Sequence, residues 1–225
     1  MTLCHLMAVG SVLLLAGCGD SRESSPSSTS SAATSGAAAN SETSRDSRAG
    51  AGLQGAPSRA LKTARPTPQI SEEAFRLAAH DGRLDSVRGA VESGIDVNSA
   101  DASRALTALH MAAFNGHVET VKYLLEKGAV VDCRDSEGKT PLIHACTGPF
   151  AAAARVLIEA GADVNAREST EGFTPLMMAA GLGQPEVVRL LLEKQADKSL
   201  LDQDQESAAD HARNSGHAEI VEILK

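Results

Sequence analysis

Tryptophan is absent, tyrosine occurs once and phenylalanine four times in 225 residues. So thin an aromatic complement offers no platform on which single-stranded bases could stack. The net charge of −8 argues against nucleic acid as a partner, because phosphate binding needs a basic footprint. The imbalance also deepens along the chain, since residues 19–68 hold six basic side chains against four acidic ones. No apolar run is long enough to span a bilayer as a mature helix. H-E-x-x-H, C-x-x-C and G-x-S-x-G are all missing, and with them the usual readings as metalloprotease, redox enzyme or serine hydrolase. Gly138-Lys139-Thr140 matches the end of a phosphate-binding loop, but Cys133 stands where that pattern requires glycine. Acidic pairs such as Glu72-Glu73 and Asp132/Asp135 read as solvated faces and turn residues rather than catalytic dyads. No catalytic residue, cofactor or metal site is expected.

What is present is a period. Thr107-Ala108-Leu109 and Thr140-Pro141-Leu142 lie 33 residues apart, and Thr174-Pro175-Leu176 follows at 34. Gly128-Ala129-Val130-Val131-Asp132 and Gly161-Ala162-Asp163-Val164-Asn165 keep the same phase at the other end of the unit. The extra residues fall in loops, as a repeat array requires. Within one unit, Thr140 is placed to cap a helix, Pro141 fits the first helical position, and Gly161 ends a second helix. Val118, Val121, Leu124 and Leu125 form an apolar stripe that a single helix pair cannot bury, so neighbouring units must cover it.

A 33-residue period carrying T-P-L-H-x-A-A, a central Gly-His, a leucine run and G-A-D-V-N-A resembles the ankyrin repeat. The resemblance covers residues 70–225 and implies an all-α ankyrin-repeat solenoid of five helix-turn-helix units joined by hairpin loops. The expected units are 70–101, 102–134, 135–167, 168–201 and 202–225. Ala108 departs from the motif's proline, Pro149-Phe150 from its Gly-His, and Gln195 from its helix-ending glycine. A left-handed Gln195 should cost roughly 1 kcal/mol. His110, His117 and His217 stand at the family's recurrent histidine positions, where the ring normally satisfies nearby backbone.

Residues 1–17 contain no charged side chain and include Val12-Leu13-Leu14-Leu15, which reads as the core of an export signal. Leu15-Ala16-Gly17-Cys18 resembles the bacterial lipobox, implying acylation of Cys18 as the first mature residue. Residues 18–68, rich in Ser, Ala, Gly and Thr, then read as a disordered linker spanning about 40 Å, and 69–225 as the repeat domain. The expected location is the bacterial cell envelope, lipid-anchored and periplasm-facing, with the outer membrane favoured over the inner by resemblance to sorting signals. Of the other cysteines, Cys4 leaves with the signal. Cys133 and Cys146 read as a loop thiol and a core thiol, with a pairing left open.

Partners of ankyrin proteins usually dock on the concave side. Carried over by phase, that face comprises Arg104, Leu106, Arg134, Lys139, Arg167 and Phe173 at the hairpins. Met111, Phe114, Asn115, His144, Thr147, Met178 and Leu182 represent it on the first helices. The apolar members read either as interface anchors or as packing against the next hairpin. The expected function is a monomeric module that binds a partner protein to hold, protect or inhibit it, such as a toxin needing an immunity partner or a periplasmic enzyme needing support. A structural spacer between membrane and cell wall is the alternative, and an enzyme with an unrecognised site a more remote one.

Overall fold

The computed structural model describes residues 70–225; Cys18 and the expected signal and linker lie outside the described residues. Five helix pairs follow one another: α1 (Glu72–His80) and α2 (Leu84–Glu92), α3 (Ala108–Phe114) and α4 (Val118–Glu126), α5 (Pro141–Ala145) and α6 (Ala151–Glu159), α7 (Pro175–Gly181) and α8 (Pro185–Glu193), α9 (Ala208–Asn214) and α10 (Ala218–Leu224). First helices stack on first helices and second on second, so the domain is a two-layered solenoid. Two isolated antiparallel bridges, Ala100 to Thr107 and Leu201 to Ser207, close the first and last hairpins. No helix among the described residues is long and apolar enough to cross a membrane.

Each first helix begins at a hydroxyl. Ser71, Thr107, Thr140, Thr174 and Ser207 hold extended backbone and accept an N–H from the helix they precede. Pro141 and Pro175 occupy the next position, where a missing N–H costs nothing. The leucines of the repeated motif, Leu109, Leu142 and Leu176, are buried, as is Phe75 in the first unit. Ala112-Ala113, Ala145-Cys146 and Ala179-Ala180 form the small-residue layer between stacked helices, and Cys146 stands fully buried in the place of an alanine. From the second helices, Val87, Val121, Leu124, Leu157, Val188, Leu191 and Ile220 complete one continuous core.

Polar ladders lock successive units. Asn98 Oδ1 accepts the Val130 N–H at 2.9 Å, the Asp132 carboxylate accepts that of Asp163 at 3.2 Å, and Asn165 Oδ1 accepts that of Asp197 at 2.9 Å. The final residue of G-A-D-V-N thus serves the next repeat rather than its own. On the opposite side, the hairpins join directly through N–H groups of Ser136, Ser169 and Gln203 donating to Arg104, Glu137 and Glu171 carbonyls. His117 Nε2–H donates to the His80 carbonyl at 2.8 Å, and its ring lies where a Cβ on Gly82 would fall, 2.5 Å from Nδ1. In the third unit Phe150 fills the equivalent space over Gly116 and brings no donor. Gln195 is left-handed, with φ 64°, and so are Ala105 and Gln205 in the first and last hairpins.

Candidate protein-interaction face

Every hairpin is built around a carboxylate. Asp101 accepts N–H groups from Ser103, Arg104 and Leu106; Asp135 from Glu137 and Lys139; Glu168 from Thr170, Glu171 and Phe173; Asp202 from Glu206. Burial pushes the Asp101 carboxyl up, but the Ser103 hydroxyl and these N–H groups outweigh it and hold the group down to about 2. These acids shape loops and are already saturated with donors.

The tips present positive charge on an otherwise acidic molecule. Arg104, Arg134 and Arg167 are exposed, and Arg134 Nη1 donates to the carbonyls of Gly138 and Arg167, bridging two hairpins. Met111, Phe114, Asn115, His144, Thr147, Phe173 and Leu182, the other positions carried over by phase, are half-buried. Phe114 meets the His144 ring edge-on at 6.1 Å between centroids, and Phe173 meets His211 at 5.0 Å. Asn115 Nδ2 donates back to the His80 carbonyl.

Three residues expected on this face, Leu106, Lys139 and Met178, are buried in the chain by itself, at 6, 7 and 6% exposure. The cause is their place relative to the cap. Leu106, Lys139, Phe173 and Glu206 each precede a capping Thr or Ser, whereas Met111, His144, Met178 and His211 are fourth in the helix beyond. These are the two positions that a staple brings together at a helix start, and one member of each of the first three pairs is buried here. The Lys139 amine remains paired with Glu137.

His110 lies fully buried, with Nε2–H donating to the Lys139 carbonyl and Nδ1 accepting the Thr107 N–H. Burial and the nearby His144 ring push it down to about 4. Cys133 Sγ lies 3.7 Å from the same Nδ1, and burial raises its thiol. A neutral imidazole whose acceptor is already used does not activate a raised thiol, so the geometry is structural. Cys133 and Cys146 are both free.

A family model described as ankyrin repeats (3 copies) matches residues 75–168 and again 167–225. The chain belongs to the ankyrin-repeat family. Among curated ankyrin-bearing matches, it is 40% identical over 90 residues to a putative E3 ubiquitin-protein ligase, XBAT34, of Arabidopsis thaliana, covering 39% of this chain and 24% of that one. It is likewise 40% identical over 91 residues to a probable E3 ubiquitin-protein ligase, XBOS34, of Oryza sativa subsp. japonica, covering 40% and 18%. The human NAD-capped RNA hydrolase NUDT12 matches at 41% over 56 residues, or 25% and 12%. The chain thus spans under a quarter of the length of these relatives. An ankyrin stack of this kind is a protein-interaction module.

One convergence escaped the sequence reading altogether. Asp202, Glu206 and His211 bring three possible ligand atoms within 4.8 Å of one another. The spacing D-x3-E-x4-H of these residues across the Ser207 cap was the available signal.

Proposed function

We propose that the chain is a non-catalytic protein-binding module tethered in a bacterial cell envelope through acylated Cys18. The partner docks across the hairpin tips and first helices, where it is held, shielded or inhibited. What supports this reading is that Arg104, Arg134 and Arg167 are exposed, and Met111, Phe114, Phe173 and Leu182 half-buried, at positions that repeat phase assigns to the concave face. Arginine and aromatic or methionine anchors are what a protein interface tends to use. The basic tips favour a partner surface that is acidic around an apolar centre. The lipobox resemblance of Leu15-Ala16-Gly17-Cys18 and the polar composition of residues 19–68 support the tether. The relatives share only the repeat region, so their ligase and hydrolase activities are not carried over.

The test uses the full chain, purified in detergent, as bait in an envelope extract beside a Phe114→Asp/Leu182→Asp variant whose helix content is checked by circular dichroism. One stoichiometric protein retained by the first bait and lost with the variant is the expected result, and its identity separates toxin immunity from enzyme support. Equal retention by both baits would move the site off this face, and no specific protein in either lane would favour the spacer. In the same cells, Cys18→Ser should shift the protein from the membrane to the soluble fraction; unchanged membrane association would rule out the lipid tether.

A further inference from the structure

The fifth unit repeats an arrangement of the third with one sign reversed. His144 Nε2–H donates to Asp135 Oδ2 at 2.8 Å, and His211 Nε2–H donates to Asp202 Oδ2 at 2.7 Å. The staple position before the cap, however, carries the cation Lys139 in the third unit and the anion Glu206 in the fifth. With Nε2 committed to Asp202, Nδ1 is left facing Glu206 Oε2, 3.7 Å away. Glu206 Oε1 accepts from Asn214 Nδ2 at 3.0 Å, whereas Oε2 is buried with no hydrogen-bond partner. The ring is further fixed edge-on by Phe173, and His211 and Asp202 are 7 and 4% exposed.

Two acceptors facing each other at 3.7 Å repel unless a cation lies between them. A proton does this poorly, because that separation is beyond an N–H···O hydrogen bond. A metal ion fits better: bonds of 2.0–2.2 Å to nitrogen and oxygen set neighbouring tetrahedral ligands about 3.4 Å apart. We propose that His211 Nδ1 and Glu206 Oε2 are ligands for one divalent transition-metal ion of the Zn2+ class, with Asp202 orienting the imidazole from its far side. The carboxylate–histidine pairing is what commonly supports a metal-binding ring. An imidazole ligand selects against Ca2+ and Mg2+, which take oxygen.

The full chain, stripped with a chelator, is titrated with Zn2+ while its unfolding midpoint is followed, and with Co2+ while visible absorption is followed. One saturable equivalent is expected, with a rising midpoint. Glu206→Gln and Asp202→Asn, which keep their shape and backbone contacts, should each weaken apparent affinity by about 10-fold or more. Asp135→Asn, in the matching place of the third unit, should leave it unchanged. Absence of saturable binding would overturn the proposal. So would binding that Glu206→Gln and Asp202→Asn leave intact, or that Asp135→Asn weakens equally.

Discussion

His110 is buried without charge, and that has a sign. Its ordinary value of 6.5 falls to about 4 in the folded chain, so between those values the unfolded chain binds the extra proton. Stability should therefore decline as the pH drops from 6.5 to 4, by up to about 3 kcal/mol. Asp101, held down from 3.8 to about 2, adds a further loss below 3.8. Urea midpoints at pH 7, 5.5 and 4 check this: His110→Gln should flatten the upper window, and an unchanged wild-type midpoint would contradict it. Gln195 is the complementary case, since its left-handed φ of 64° is one that glycine adopts freely. Gln195→Gly should raise stability by about 1 kcal/mol, read from the same urea titration. That position was legible because a glycine recurs there in other units. Ala105 and Gln205 stand in the place of the left-handed Gly138 and Gly172, two residues before each cap, so the same recurrence marks them too. The burial of Leu106, Lys139 and Met178 depends on how the chain enters a helix, which repeat phase alone does not describe.

At the scale of elements, caps and ladders set the order. Hydroxyl, proline and leucine in T-P-L each appear in the fold where the sequence placed them: Thr140 at the cap, Pro141 at the first helical position, Leu142 in the core. The ladders were less legible, since Asn165 serves Asp197, 32 residues away, and no local pattern states the partner. Asn165→Ala should cost about 1 kcal/mol through that lost hydrogen bond. Amide exchange should speed in α9 and α10 while α3 keeps its protection; uniform acceleration along the stack would contradict the account. The junction between the second and third units differs in kind. Phe150 packs on Gly116 where His117 and His217 instead donate to the preceding unit's carbonyl, so at this one point apolar contact replaces a hydrogen bond while the ladder and hairpin bonds remain.

For the whole molecule, stability is a sum of helix pairs and the interfaces between them, and function is a surface that the stack assembles from many units. Period, helix faces and the small-residue layer were legible because each recurs several times in fixed phase. The interaction face was only partly so, because a repeat names the positions turned toward a groove but not which of them the caps then cover. Phe114 is half-buried at the end of a first helix, and Glu126 is exposed at the end of a second helix. The most direct measurement is therefore photo-crosslinking in the source cells, with a photoreactive phenylalanine at position 114 in one strain and at position 126 in another. A discrete protein adduct from position 114 and none from position 126 is the expected result. Adducts from position 126 alone, or from neither, would contradict a partner bound on the first-helix face.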